Sequence, residues 1–127
     1  MQGVHKFYRC NHCGNMAALI EDVGVPVVCC GEKMSELKPN TVDASVEKHV
    51  PIAKLSGDRL DVEVGSAPHP MTEEHYITFV YIATEKGGQR KGLNPSDEPK
   101  AAFCFIDDKP VTTFAYCNQH GLWKTEI

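Results

Sequence analysis

The sequence has no long apolar run, no excess of positive charge and no internal repeat. A helix that crosses a membrane needs about 20 mostly apolar residues, and no segment approaches that length. The formal net charge is −4, whereas a nucleic-acid-binding protein usually presents a basic face. The N-terminal segment MQGVHKFYRC also lacks the apolar centre of a secretory signal. We therefore expect a cytoplasmic protein that binds neither membranes nor nucleic acids.

A sustained helical period is absent as well, and the chain instead contains short segments typical of strands. Alternating apolar and polar residues, or β-branched and aromatic runs, predict strands over 60–64, 76–83, 89–93, 101–106 and 111–116, with another over 46–55 that is broken at Pro51. The pair Gly87-Gly88 predicts a hairpin between the second and third of these, and 94–99 is predicted to be a loop. Short strands separated by turns favour a mainly β fold, an antiparallel sandwich or barrel.

Four of the six cysteines lie within the first 30 residues, in two pairs: Cys10, Cys13, Cys29 and Cys30. Cytosolic thiols are kept reduced, so this spacing indicates a metal site rather than disulfides. Four thiolates form a tetrahedral set suited to zinc or iron, and the spacing alone does not choose between the two. The second pair is adjacent in sequence, and adjacent side chains normally point apart. We therefore expect a distorted tetrahedron.

A polar stretch over 31–41, with a turn at Pro39-Asn40, separates this cysteine-rich segment from the rest. The sequence thus predicts a small domain over 1–37 and a larger one over 38–127. A unit as short as the first buries too little apolar surface to be stable alone, and a bound metal would compensate for that.

Four histidines and one cysteine form a second candidate set in the larger domain. Its members are His49, His69, His75, Cys117 and His120. Structural zinc closes its shell with four ligands, so a set of five suits redox iron better. Four imidazoles with an axial thiolate would leave one position open for a small oxygen species. The remaining cysteine, Cys104, lies in an apolar strand and is expected to act as a small hydrophobic residue.

Several motifs resemble desulfoferrodoxin, the two-iron class of superoxide reductase, over essentially the whole chain. The matching segments are Tyr8-Arg9-Cys10-Asn11-His12-Cys13-Gly14-Asn15, Val28-Cys29-Cys30-Gly31-Glu32, Glu47-Lys48-His49-Val50-Pro51, Gly65-Ser66 with Pro68-His69-Pro70-Met71, Glu74-His75-Tyr76-Ile77, and Tyr116-Cys117-Asn118 with His120-Gly121-Leu122-Trp123. Each motif alone is weak, and together they are highly specific.

The resemblance implies a desulforedoxin-like or rubredoxin-like domain with a four-cysteine iron centre, followed by an immunoglobulin-like antiparallel β-sandwich. The second iron would be held by His49, His69, His75, His120 and Cys117, giving two iron ions per chain. The implied activity is reduction of superoxide to hydrogen peroxide, with electrons from rubredoxin or a similar donor. The implied assembly is a cytoplasmic homodimer.

Lys48 and Glu47 adjoin one of the candidate ligands and are the predicted catalytic residues. Because superoxide is an anion and the chain is negative overall, Lys48 is expected to guide the substrate. The resemblance implies that Glu47 binds the open position of the resting ferric site. Two other functions stay open at this point: a rubredoxin-like electron-transfer protein, and a zinc-binding structural or interaction module.

Overall fold

The computed structural model describes residues 5–127 and divides into two compact units. One unit ends at Lys38 and the other runs from Pro39 to Ile127. This division falls one residue after the boundary predicted from the sequence. The first four residues of the predicted small domain lie outside the described residues.

The smaller unit consists of short strands joined by turns. They are β1 (Phe7–Arg9), β2 (Met16–Ala18), β3 (Val28–Cys29), β4 (Glu32–Lys33) and β5 (Ser35–Glu36). A three-stranded antiparallel sheet has the order β2-β1-β5, and β3 pairs with β4 as a hairpin. Among its described residues, Phe7 and Cys10 are the buried hydrophobic ones. So small a core agrees with the expectation that this unit needs a further source of stability.

The larger unit is an antiparallel sandwich with one helical turn. Its elements are α1 (Val46–His49), β6 (Pro51–Ser56), β7 (Arg59–Val64), β8 (Ile77–Thr84), β9 (Gly88–Gly92), β10 (Lys100–Cys104), β11 (Pro110–Cys117) and β12 (Gly121–Glu126). One sheet has the order β10-β7-β6 and the other β12-β11-β8-β9. Seven antiparallel strands in sheets of three and four match the predicted immunoglobulin-like sandwich.

The sandwich core forms because its strands alternate between apolar and polar side chains. In β7, Leu60, Val62 and Val64 are buried while the residues between them are exposed. These side chains belong to one core cluster with residues of the other sheet, such as Ile82 and Ala115. The predicted hairpin is also present, since β8 pairs with β9 across Gly87. The mainly β fold predicted from the sequence is thus confirmed.

Three local predictions were wrong or incomplete. Cys104, expected to act as a small hydrophobic residue, is exposed at the end of β10 whereas Phe103 before it is buried, because successive side chains of a strand face opposite sides. Residues 46–49, predicted as part of a strand, form α1. This turn ends at His49 because Val50 precedes a proline, which disfavours helical backbone there, and Val50 is extended with φ −70 and ψ 119. Strand β12 had no sequence prediction, since its strand state depends on pairing with β11. Within residues 5–127, no helix has the length and apolar character needed to cross a membrane.

Candidate metal centres

Four cysteine sulfurs converge in the smaller unit. The Sγ atoms of Cys10, Cys13, Cys29 and Cys30 all lie within 4.8 Å of one another, and all four are free thiols. The Cys13–Cys29 sulfurs are 3.6 Å apart and the Cys29–Cys30 sulfurs 4.0 Å apart. A metal–sulfur bond of about 2.3 Å gives a tetrahedron edge of about 3.8 Å. The sulfurs are therefore spaced for a single ion.

The adjacent pair points to one centre because the backbone turns sharply at Cys30. Cys30 has a φ of 52 and Gly31 a φ of 74, a left-handed conformation that non-glycine residues seldom adopt. The first pair is shaped by a tight turn in which Cys10 N donates to Asn15 O at 2.8 Å and Gly14 N donates to Cys10 O at 3.1 Å. Backbone strain at Cys30 is thus the local feature that brings neighbouring sulfurs together.

The four cysteine sulfurs lie so close together that they change one another's pKa values. Backbone N–H groups of Cys13 and His12 donate to the Cys10 sulfur and lower its pKa to about 6. The sulfurs of Cys13 and Cys10 raise the pKa of Cys29. A bound metal cation would offset the repulsion between neighbouring thiolates, because it binds all four sulfurs in the deprotonated form. The donor set therefore fits a metal of the zinc or iron type.

The four histidines of the larger unit form a closed ring of imidazoles. Neighbouring ring centroids are 4.7 Å apart for His49–His69 and His69–His75, 5.0 Å for His75–His120 and 4.9 Å for His49–His120. Neighbouring planes meet at 74° to 88°. The diagonal between His49 and His75 is longer, at 6.3 Å. Such a square of edge-on rings surrounds one central point.

Cys117 adjoins this ring from the core. Its side chain is fully buried within the core cluster, and its sulfur lies within 4.8 Å of the nearest ring nitrogens of His49, His69 and His75. His120 Nδ1 is 3.9 Å from the Cys117 sulfur and 3.1 Å from His49 Nε2. The structure thus brings all five residues predicted from the sequence to one place.

The ring nitrogens present lone pairs to the centre. Nδ1 of His49 is 2.6 Å from the Ser45 carbonyl oxygen, and Nδ1 of His69 is 2.6 Å from the Pro70 carbonyl oxygen. A carbonyl accepts only, so each Nδ1 carries the proton and each Nε2 is free to bind a metal. Among the described residues, the Nε2 atoms of His69 and His75 are buried without a hydrogen-bond partner. Buried polar atoms are rarely left so, and a cation would satisfy them.

Burial favours the neutral form of three of the imidazoles, which is the form that binds metals. It lowers the pKa of His69 to about 4 and also lowers the pKa of His49 and of His75. Burial raises the pKa of the Cys117 thiol, against the opposing effect of the backbone N–H groups of Gln119 and His120. A bound cation favours the Cys117 thiolate, since a coordinating thiol is deprotonated.

The ligand loops meet at one end of the sandwich. His49 ends α1, His69 follows β7, His75 precedes β8, and the pair Cys117 and His120 spans the turn from β11 to β12.

Gly65 lets the first two of these segments approach. Ala67 N donates to the Glu47 carbonyl at 2.9 Å. A Cβ at Gly65 would lie 2.6 Å from the same oxygen and 2.4 Å from Ala67 O. Only glycine fits at this position, which also has a positive φ of +86.

The comparisons with known proteins agree with both donor sets. The family model described as desulfoferrodoxin matches residues 41–126. Desulfoferrodoxin of Nitratidesulfovibrio vulgaris is 40% identical over 126 residues, which cover 99% of either chain. The chain belongs to the desulfoferrodoxin family.

Solved structures extend the comparison. The superoxide reductase of Treponema pallidum superimposes with a TM-score of 0.82 and 34% identity, covering 98% of this chain and 100% of that one. The superoxide reductase (1Fe-SOR) of Giardia intestinalis has a TM-score of 0.56 and 36% identity, covering 64% of this chain and 97% of the other. The two donor sets correspond to the two iron centres of the desulfoferrodoxin family.

Trp123 supports the histidine ring of this desulfoferrodoxin-family chain, a role that sequence reasoning missed. Its buried indole stacks on His49, with centroids 5.0 Å apart and planes at 27°. Its Nε1 donates to the His120 carbonyl at 3.0 Å. One side chain thus contacts two neighbouring members of the ring. The sequence signal was available, since Trp123 lies three residues after His120 in a matching motif.

Trp123 is the one tryptophan of the chain, and its emission should report the histidine site. We expect metal-free protein to fluoresce strongly and stoichiometric iron to quench it, because the ion would be bound to the ring that the indole contacts. Zinc has a filled d shell and should bind with little quenching. The measurement is a fluorescence titration with each metal. Full iron loading of the histidine site without loss of emission would contradict the expectation.

Acid should destabilise the metal-free larger unit. The pKa of His69 is about 4 in the folded chain, below its ordinary value of 6.5, and the pKa values of His49 and His75 are also lowered. The unfolded chain therefore binds more protons as pH falls from 6.5 towards 4, and stability falls in the same direction. We expect the unfolding midpoint, followed through Trp123 emission, to decrease between pH 7 and pH 5.

A matched pair of variants tests this pH dependence. His69→Gln should flatten it, whereas His12→Gln should not, because His12 is an exposed residue of the smaller unit. A midpoint that rises on acidification would contradict the assignment.

Proposed function

We propose that this chain is a superoxide reductase, which adds one electron and two protons to superoxide to give hydrogen peroxide. The observation that carries the proposal is the square of four imidazoles with the buried Cys117 sulfur beside it. Among proteins named superoxide reductase, the one from Pyrococcus horikoshii matches 64% of this chain with 39% identity, and the one from Treponema pallidum covers 98% of it. The reaction is assigned to residues 38–127, because they contain the square of imidazoles.

The two irons are assigned to the two donor sets. Cys10, Cys13, Cys29 and Cys30 would hold the first in the domain over 1–37, and His49, His69, His75, His120 and Cys117 would hold the second. When bound at the second site, iron supplies the electron that superoxide takes up. Neutral imidazoles and one thiolate would suit this redox role, because a thiolate would donate electron density to the iron that it holds.

Lys48 is proposed to guide superoxide to this site. It is exposed in α1 directly before His49, and its charge contributes to the lowered pKa of both His49 and His75. The positive charge of its ammonium group therefore acts on the imidazoles of His49 and His75. In a chain of net charge −4, such a local cation attracts the anion and can donate a hydrogen bond from Nζ to the reduced product.

Glu47 is proposed to occupy the open position of the resting site. Its carboxylate is exposed on the same helical turn. The nearby backbone N–H of Glu47 and the charge of Lys48 lower its pKa. The carboxylate is thus ionised at neutral pH and ready to act as an anionic ligand when substrate is absent.

The family resemblance supports three further proposals. The electron donor is rubredoxin or a protein of similar chemistry, the protein acts in the cytoplasm, and two copies form a homodimer. The physiological role that follows is removal of superoxide without release of dioxygen.

Metal analysis with visible spectra in both oxidation states tests the assignment first. We expect two irons per chain and strong ferric–thiolate colour, whereas a zinc module would be colourless. Stoichiometric superoxide consumption in the presence of an electron donor then separates a reductase from an electron carrier. Cys13→Ser should lose the four-cysteine iron yet retain superoxide reduction. Complete loss of reduction in this variant, with the histidine iron still bound, would favour the electron-transfer alternative.

A further inference from the structure

We propose that Asn118 is a positioning residue that sets His75 against Cys117 and His120. The inference rests on the proposed function, because it concerns the iron site assigned to superoxide reduction. Asn118 lies inside the Cys117–His120 segment, yet its side chain binds the backbone on either side of His75. It thereby connects two ligand segments that are distant in sequence.

The side-chain amide of Asn118 clamps the backbone of the His75 segment. Its Nδ2 donates to the Glu74 carbonyl at 3.1 Å, and its Oδ1 accepts from Tyr76 N at 3.0 Å. Its own backbone N donates to Tyr76 O at 3.2 Å. Three hydrogen bonds thus join this one residue to the two neighbours of His75.

The clamp lies where the regular strand pairing is interrupted. Strands β8 and β11 pair regularly from Thr112 to Tyr116, and a register shift follows between Tyr116 and Cys117. A bulge of this kind changes the direction of nearby side chains at the expense of ladder hydrogen bonds. The Asn118 side-chain amide hydrogen-bonds to the backbone of the His75 segment beyond this shift. It therefore joins the two strands where their regular backbone pairing is interrupted, next to Cys117.

His75 depends on this backbone support more than two other ring members do. The rings of His49 and His69 are oriented directly, because a carbonyl oxygen lies 2.6 Å from Nδ1 of each. Within the described part of the chain, the His75 ring makes no hydrogen bond, and its Nε2 is buried without a partner. Its ring position is therefore determined by its backbone and by packing.

The His75 segment is otherwise held mainly by its own turn. Thr72 N donates to His75 O at 3.0 Å, and His75 N donates to Thr72 O at 3.2 Å. These bonds shape the turn without connecting it to Cys117. That connection comes from Asn118, assisted by Gln119, whose Nε2 donates to Glu74 O at 2.6 Å.

Two variants grade the clamp. Asn118→Ala removes both side-chain bonds, and Asn118→Asp keeps the acceptor for Tyr76 N but removes the donor to Glu74 O. Loss of residues that orient metal ligands typically weakens metal binding about 10-fold to 100-fold. We expect the ferrous affinity of the histidine site to fall in that range for Asn118→Ala, and by less for Asn118→Asp.

A matched control is available in the same unit. Asn40 makes an equivalent clamp on Lys124, donating from Nδ2 to its carbonyl at 3.2 Å and accepting from its N–H at 2.9 Å. Lys124 flanks none of the five proposed ligands. Asn40→Asp therefore removes one amide donor from a backbone clamp without altering a ligand segment.

The experiment measures iron per chain after dialysis at buffered ferrous concentrations, the ferric–thiolate absorption band and the unfolding midpoint of metal-free protein. If Asn118 is a positioning residue, both Asn118 variants should bind ferrous iron more weakly and show a shifted absorption band, and the effect of Asn118→Ala should exceed that of Asn118→Asp. Their unfolding midpoints should stay close to that of Asn40→Asp. Unchanged affinity and band would overturn the proposal, as would a larger effect of Asp than of Ala, which would indicate added charge. If Asn118→Ala does not fold, the comparison of Asn118→Asp with Asn40→Asp still tests the proposal. None of these readouts uses superoxide, so failure of the proposed reaction would be seen separately in the wild-type assay.

Discussion

Cys117→Ser should abolish superoxide reduction while leaving the four-cysteine centre intact. The Cys117 side chain is fully buried and packs in the core cluster beside the histidine ring. A serine hydroxyl at neutral pH has no thiolate to offer, so the site would lose its one anionic ligand from the core side. Changes in residues that merely orient ligands cost up to about 100-fold in metal affinity or activity, and loss of a ligand should cost at least that.

The chain supplies its own control for this experiment. Cys104→Ser alters an exposed cysteine on β10 that belongs to neither sulfur group, and it should leave iron content, spectrum and rate unchanged. The measurements are iron per chain, the visible spectrum of the oxidised protein and the rate of superoxide consumption. If Cys117→Ser kept two irons and the wild-type rate, the assignment of the second iron site would be wrong.

Lys48→Ala should slow the reaction with superoxide by about tenfold or more, since electrostatic steering raises association rates by about 10-fold to 1,000-fold. The expected cause is loss of the positive charge whose influence reaches His49 and His75. Iron content and the visible spectrum should stay near those of the wild type, because Lys48 is not among the proposed ligands. Pulse radiolysis or stopped flow would give the second-order rate constant.

Two variants separate steering from other effects. Lys48→Arg keeps the charge and should keep most of the rate, and Lys54→Ala removes an exposed lysine from β6 and should have little effect. The wild-type rate should also fall as ionic strength rises, because salt screens the attraction. A rate constant unaffected by Lys48→Ala would remove this residue from the mechanism.

The two ligand sets could be predicted from the sequence because cysteine and histidine are common metal ligands and several of them are closely spaced along the chain. Cys10 and Cys13 lie on one tight turn, and Cys117 and His120 on another, so local sequence already places each pair together. Strand β7 was equally visible, since Leu60, Val62 and Val64 alternate with polar residues that face solvent.

Features that depend on distant partners were not visible in the same way. Helical turn α1 is held by hydrogen bonds from residues 66 and 67 to the Glu47 carbonyl. Strand β12 forms along β11, and the short turn after β10 leads into the opposite sheet rather than into a hairpin. The supporting contacts of Trp123 and Asn118 are likewise long-range, and neither residue type suggests such a role by itself.

The order of the ligands along the chain has a consequence during protein synthesis. The four-cysteine group is complete once residue 30 has emerged from the ribosome. The histidine ring cannot form until His120 and the strand that carries Trp123 have been synthesised. A nascent chain would thus contain every sulfur of the first centre long before the second can close. The donor set assigned to superoxide reduction is therefore complete only when the last strand of the sandwich is present.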